Sequence, residues 1–226
     1  QIEQIDTQIF LFFNGFHNVY WDYFMMIFSD RFVWVPFYAS FIFVLLKNFP
    51  VKVVMSTIVV ITLIILFSDQ TASGILKPLV ARMRPSNPDN PISPMVHVVQ
   101  GYRGGRYGFP SSHAANAWSM AFFAQYLVRR SKLTIFLCLW ALITSYSRMY
   151  LGVHYFGDIL IGTLIGFLYA TLYYYIFQYF LRKHTERFKP NHDIRFASVP
   201  IITGLVSIWV IICTSGILSF YSIPLR

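Results

Sequence analysis

The stretch VVMSTIVVITLIILFSDQTASGIL, residues 53–76, decides what kind of protein this is. Its residues up to Ser68 carry no charge, and the whole stretch is long enough to cross a bilayer, which takes about 17–25 helical residues. Working outward, comparable charge-free runs lie at Phe32 to Leu46, Ala114 to Val128, Leu133 to Ser147, Ile159 to Leu181 and Phe196 to Leu225. Extending the shorter runs through polar residues at one end gives six expected spans, at about 25–46, 53–76, 113–129, 133–150, 156–181 and 198–220. The expected fold is all-α, an integral membrane six-helix bundle forming a single domain over residues 1–226.

Composition agrees. The chain is 56% hydrophobic and 12% charged, with 18 Lys+Arg and 9 Asp+Glu, about half the usual charged share of a soluble domain. Aromatics at 19% exclude a disordered chain, and two cysteines exclude a disulfide scaffold. Cys138 and Cys213 sit in apolar runs and read as small hydrophobes.

The net charge of +9 raises nucleic acid as a partner, but the placement of the basic residues answers it. Lys47 and Lys52 fall in the first connection; Arg129, Arg130 and Lys132 in the third; Arg182, Lys183, Arg187, Lys189 and Arg195 in the fifth. Alternate connections share one face, and positive charge marks that face as cytoplasmic. The partner implied is the bilayer, not nucleic acid. Both termini then face outward, and the absence of Lys and Arg from the first twenty residues argues against a cleaved signal peptide with its basic n-region. Within residues 1–18, Ile2, Ile5, Ile9, Phe12 and Phe16 form one helical stripe with Glu3 and Asp6 on the polar side, the pattern of an interfacial helix on the outer leaflet. Trp21, Tyr20 and Tyr23 fit an aromatic belt, with Asp30 and Arg31 farther in.

The long connection from Pro78 to Ser112 is also expected outside. Pro85, Pro88, Pro91 and Pro94 recur every third residue, which predicts a stiff polyproline arm, and Gly101, Gly104, Gly105 and Gly108 predict a flexible remainder.

Three polar clusters reach this outer face. The second span ends at Lys77, followed by Arg84-Pro85; the third opens on Pro110-Ser111-Ser112-His113; the fourth closes on Ser147-Arg148, followed by His154 and Asp158. Lys77, Arg84 and Arg148 offer three cations, two of them guanidinium forks suited to phosphate oxygens. Ser111 and Ser112 precede a helix, where free N–H groups bind anions, although either serine also serves as an N-cap. If residues 154–158 are helical, His154 and Asp158 share a face, and the carboxylate fixes the imidazole's tautomer. His113 remains as a second imidazole for proton transfer. A metal site at His113, His154 and Asp158 is the alternative, disfavoured by the three cations beside it. Two imidazoles around an anion pocket point to phosphoryl transfer through a phosphohistidine. Arg82, Arg103 and Arg106 read equally well as headgroup contacts, and Asp69 as a structural polar contact about 12 Å below Lys77 at 1.5 Å per residue. His17, His97, His184 and His192 show no partner pattern.

These clusters resemble the three-part signature of the type 2 phosphatidic acid phosphatase superfamily of membrane lipid phosphatases. Lys77, six residues, Arg84-Pro85 matches the first part, and Ser147-Arg148, five residues, His154, three residues, Asp158 matches the third. Pro110-Ser111-Ser112-His113 matches the second, with Ser112 where the pattern has glycine. The resemblance implies His154 as nucleophile, Asp158 as its partner and His113 as the acid for the leaving group. It implies phosphate binding by Lys77, Arg84, Ser111, Ser112 and Arg148, with no metal and no cofactor. The expected activity is hydrolysis of a lipid phosphate or diphosphate at the periplasmic face of a bacterial inner membrane, with no obligate protein partner. Undecaprenyl diphosphate is the leading expected substrate; lipid A, phosphatidylglycerophosphate and transfer to another lipid are alternatives. An anionic-lipid transporter is the non-enzymatic rival, disfavoured because the polar clusters gather at one face rather than at the midplane.

Overall fold

The computed structural model describes residues 1–184 and 194–224, and among them the regular elements are all helical, without strands. The helices are α1 (Ile2–Asn14), α2 (Val19–Ser29), α3 (Val35–Asn48), α4 (Val51–Asp69), α5 (Lys77–Val80), α6 (Ser112–Val128), α7 (Ser131–Tyr150), α8 (Phe156–His184) and α9 (Val199–Tyr221). A π-helical segment, Gln70–Leu76, joins α4 to α5 and makes one unit, Val51–Val80. Arg187, Lys189, His192 and Arg226 lie outside the described residues, and the side chains of Arg182, Lys183 and His184 are likewise not described.

Four of these units are long and apolar enough to cross a membrane: Val51–Val80, Ser131–Tyr150, Phe156–Leu181 and Val199–Tyr221. The expected first span is not one straight helix. Val19–Ser29 and Arg31–Asn48 meet at a 64° bend, and together they make a fifth unit if counted as one. The break has a local cause: the Asp30 carboxylate accepts the Phe32 N–H at 2.8 Å and starts a short 3-10 turn. The Trp34 indole N–H then satisfies the Phe28 carbonyl at 2.8 Å, a backbone group that a broken helix would otherwise leave unpaired. Helix α6 is 17 residues, about 25 Å at 1.5 Å per residue, and is short for a crossing.

Helix α6 forms the centre of the bundle, against α8, α7 and α4. Its contact with α8 is set by small residues. A Cβ on Gly162 would lie 2.4 Å from the Ser111 carbonyl oxygen, and one on Gly166 would lie 2.5 Å from that of Ala115. In a lipid solvent, close backbone approach of this kind is the main source of helix attraction. It also brings the start of α6, with Ser111 to His113, beside the start of α8, with Asp158.

The connection between α5 and α6 departs from the expected arm. Instead of polyproline it runs as successive turns, with Asn87, Asn90 and Ser93 N–H groups donating to Arg84, Asn87 and Asn90 carbonyls at 2.9–3.1 Å. Asn87 and Asn90 side chains accept the Asp89 and Ile92 N–H groups, which stabilises turns at those positions. Proline fixes only φ, which suits a turn as well as an arm; the asparagines decide. Ser86, Asn87 and Asn90 are buried, and the Ser86 N–H reaches the Gly152 carbonyl at 3.0 Å, tying the loop to the α7–α8 connection.

Helix α1 is also arranged differently from the simple amphipathic reading. Its inner face is Asp6, partly buried, with buried Phe10 and Asn14, spaced by four, while Ile2, Ile5, Phe12 and Phe16 of the apolar stripe point away from the protein. Cys138 and Cys213 are free and partly buried.

Candidate active site

The site is built where the α5–α6 loop, the α7–α8 connection and the starts of α6 and α8 converge. His154 is fully enclosed, 1% exposed, in the α7–α8 connection, just before α8 rather than in a helix. The expected helical spacing to Asp158 is therefore corrected, but the contact is made. Asp158 sits in the first turn of α8 and folds back, so that Oδ2 accepts the Tyr155 N–H at 3.0 Å and faces His154 Nδ1 at 3.2 Å. A side chain reaching back to the residue before its helix is one half of a capping box, and that geometry places the carboxylate on the imidazole.

With the proton on Nδ1 shared with Asp158, the Nε2 lone pair of His154 faces outward to Arg84 Nη1 at 3.3 Å. Burial, and then the charges of Arg84, Arg148 and Lys77, hold the imidazole well below its ordinary value of 6.5. The neutral ring, the form with a nucleophilic nitrogen, is thus the resting state at neutral pH.

Each cation has fixed seating. Arg84 is buried, its Nε donating to the Tyr107 carbonyl at 3.1 Å and Nη1 to the Val153 carbonyl at 3.2 Å. Arg148 is buried at the end of α7, held by Ser29 Oγ and by the Tyr102 hydroxyl at 3.0 Å. Lys77 Nζ donates to Ser73 Oγ at 3.0 Å and to Ser112 Oγ at 3.4 Å. Ser73 in turn donates to Asp69 at 3.3 Å, so Asp69 supports Lys77 from one side of the same segment. Ser112, the departure from the glycine of the signature, therefore holds the lysine. Ser111 is fully buried and caps α6, accepting the Ala114 N–H at 3.3 Å, while its own N–H binds the Asp158 carbonyl at 2.9 Å.

All eight expected residues thus gather at one end of the bundle. His113, exposed at the start of α6, lines with Ser112 the head of a groove of about 520 Å³. Below them the groove is bounded by apolar side chains of α3, α4 and α6, among them Phe41, Leu45, Ile58 and Ile61, with Arg31 at its rim.

Sequence reasoning missed several contributors. Arg82, which reads equally well as a headgroup contact in the sequence, is turned inward: Nη1 lies 2.7 Å from Asp6 Oδ2 and 3.1 Å from Asp158 Oδ1. Arg103 is engaged within the loop, donating to the Ser86 carbonyl and to Ser93 Oγ at 3.2 Å, whereas Arg106 is exposed over the Tyr107 ring. Ser29 and Tyr102 carried no sequence signal, because they act through Arg148. Away from the site, His97 pairs with Asp22 at 2.8 Å and stacks on His17, an interface role.

The sequence model of the PAP2 superfamily matches residues 52–182, which contain every one of the eight residues. The chain belongs to the PAP2 superfamily. Over 214 residues it is 45% identical to the lipid A 4'-phosphatase of Bacteroides thetaiotaomicron, covering 92% of this chain and 93% of that one. It is 34% identical to the lipid A 4'-phosphatase of Porphyromonas gingivalis, covering 79% and 75%. A dihydrosphingosine 1-phosphate phosphatase of Schizosaccharomyces pombe is 27% identical, covering 67% of this chain and 39% of its own. The crystal structure of Aquifex aeolicus LpxE superposes with a TM-score of 0.57 at 20% identity, over 75% of this chain and 94% of that one, which is a likeness of fold. As a PAP2 protein with apolar helices of spanning length, this chain is a membrane lipid phosphatase.

Proposed function

We propose that this enzyme removes a phosphate from lipid A, with the 4'-phosphate as the first candidate, at the periplasmic face of a bacterial inner membrane. The reading rests on one observation above the rest: His113 and Ser112 line the head of a groove with an apolar body, and Ser112 bonds Lys77 in the same cluster as a neutral, carboxylate-backed His154 under the charges of Arg84, Arg148 and Lys77. The polar end suits a phosphomonoester, and the groove suits part of an acyl chain entering from the side. Lipid A, given second place above, replaces undecaprenyl diphosphate as the leading substrate, because the relatives with high coverage at 45% and 34% identity are lipid A 4'-phosphatases.

In the proposed mechanism the phosphoryl group displaces the contact between Arg84 and His154 Nε2. Arg84, Arg148, Lys77 and the N–H groups at the start of α6 hold its oxygens. Nε2 attacks phosphorus in line, the P–N bond forms, and the P–O bond to the sugar breaks. His113, protonated in the substrate complex where the phosphate's negative charge offsets Arg84, Arg148 and Lys77, gives that proton to the departing oxygen, while Asp158 supports the charge on the His154 ring. Water, deprotonated by His113, then attacks phosphorus and releases inorganic phosphate and free His154. No step needs a metal, since three cations already meet the phosphate charge.

We infer a single domain with six crossings: the four long units, the bent α2–α3 pair and α6. The ends of α3 and α9 meet, Asn48 bonding Arg195 in both directions at 2.7 and 2.8 Å, which supports Lys47, Lys52 and Arg195 sharing the cytoplasmic end. The site and α1 then lie at the periplasmic end, with the exposed apolar stripe of α1 against the outer leaflet.

The test is phosphate release by purified protein, with and without EDTA, from bisphosphorylated lipid A, undecaprenyl diphosphate and phosphatidylglycerophosphate. Lipid A should be the best substrate by kcat/KM, unchanged by the chelator. Preference for undecaprenyl diphosphate, or loss of activity in EDTA, contradicts the reading.

A further inference from the structure

Helix α1 is held in an unusual way. Its apolar stripe faces outward, so burial of that stripe inside the protein does not fix its position. What fixes it is Asp6, Phe10 and Asn14. Asn14 Nδ2 donates to the carbonyls of His97, Met149 and Tyr150 at 2.9–3.2 Å, and its Oδ1 accepts the His97 N–H at 2.8 Å. Phe10, fully buried, packs edge-on against Tyr155, the residue following His154. Asp6, one turn farther back, is divided between two partners: Oδ1 accepts the Gly157 N–H at 2.8 Å, and Oδ2 accepts from Arg82 at 2.7 Å.

Arg82 completes the link. The same Nη1 that binds Asp6 lies 3.1 Å from Asp158 Oδ1, and the guanidinium lies over the Tyr155 ring at 3.8 Å. Asp158 therefore has its two oxygens assigned separately, Oδ2 to His154 and the Tyr155 N–H, Oδ1 to Arg82. An unsupported carboxylate could rotate and offer His154 either oxygen or neither. Arg82 prevents this, and Asp6 balances a charge that would otherwise compete with the imidazole for Asp158.

We propose that Asp6 and Arg82 are positioning residues for the His154–Asp158 pair, so that α1 is a working part of the active site. The proposal rests on the phosphatase reading above. In the phosphoryl-transfer step His154 becomes positively charged, and the orientation of Asp158 matters most at that moment; substrate binding is served by other residues. Loss of the clamp should therefore fall on kcat and leave KM alone.

The experiment compares wild type, Asp6→Asn, Arg82→Gln, Arg82→Lys and the Asp6→Asn/Arg82→Gln double variant, with bisphosphorylated lipid A in detergent micelles. Asp6→Asn keeps an oxygen for the Gly157 N–H and removes only the charge facing Arg82. Each of Asp6→Asn and Arg82→Gln should lower kcat by about tenfold to a hundredfold, with KM unchanged within about twofold. Arg82→Lys should recover part of the loss, and the double variant should be little worse than Arg82→Gln alone, because both act through one contact. Elution as a single species in detergent checks folding, and if Arg82→Gln does not fold, Asp6→Asn decides. Wild-type kcat in Asp6→Asn, a loss confined to KM, or fully additive losses in the double variant overturn the proposal. His154→Ala serves as the control for the parent reading: an active His154→Ala protein refutes the mechanism, whereas an inactive one beside a fully active Asp6→Asn refutes only the clamp.

Discussion

Helices α1 and α9 both lie outside the residues matched by the superfamily model, one before and one after, yet they are used in opposite ways. Helix α9 packs on α2 and α3, and its buried residues are Pro200, Gly204, Ser207, Ile211 and Ser215, with large apolar side chains such as Trp209 facing outward. It completes the bundle, and its Thr203 and Ser219 hydroxyls donate to carbonyls of the helix itself. Helix α1 is shorter and also apolar outside, but its inner face carries a carboxylate to Arg82 and an amide to three backbone carbonyls. The lesson concerns polar groups on buried faces. In a chain that spends charge so sparingly, an inward carboxylate marks a helix that serves the chemistry, and an inward small residue marks one that serves packing.

The contrast is tested first at the site that α1 adjoins. His154→Ala should abolish phosphate release, by at least about a thousandfold, while the protein still elutes as a folded species. Next comes the comparison itself. Asp6→Asn on α1 should lower kcat as described, whereas Trp209→Ala on the outer face of α9 should leave kcat and KM at wild-type values; equal losses from both would erase the distinction. Gly204→Leu should move stability alone. A Cβ there meets the Phe136 ring at 2.4 Å, and overpacking of this kind costs about 1–3 kcal/mol, read as a lower melting temperature with kcat preserved.

The smallest expected effect is in pH. Because burial and three cations hold His154 well below 6.5, the neutral nucleophile persists as pH falls through that value. The acid limb of kcat/KM, which reports groups of the free enzyme, should accordingly lie below pH 6.5. A limb at or above that value means His154 is charged at rest, which the geometry around Nε2 does not accommodate.

Much of this was legible in the chain. Long apolar runs located the helices from Val51 onward to within a few residues, though not the expected first span, because a bilayer imposes length and excludes charge on such segments. The gathering of the eight expected residues was legible too, since Lys77, Arg84, Arg148, His113, His154 and Asp158 are costly near a bilayer without a partner; the roles given to them belong to the proposed mechanism. What escaped was whatever depends on chain direction rather than composition. Asp30 breaks the expected first span by capping its own backbone, an effect invisible to hydropathy. Asn87 and Asn90 turn the proline-rich loop, though the proline period alone reads as extended. Arg82 and Asp6 lie far apart in sequence, one in an aperiodic loop and the other on a face that amphipathic reasoning assigns to water. Only the docking of α1 brings them together.

The central claim is that His154 carries the phosphoryl group, and rapid mixing with lipid A labelled at its phosphates tests it most directly. Quenched in alkali and separated from lipid, the wild-type protein should carry label that survives base and is lost in acid, as a phosphoramidate is, and His154→Ala should carry none. Label that is stable to acid, or label of equal amount on His154→Ala, would contradict the account.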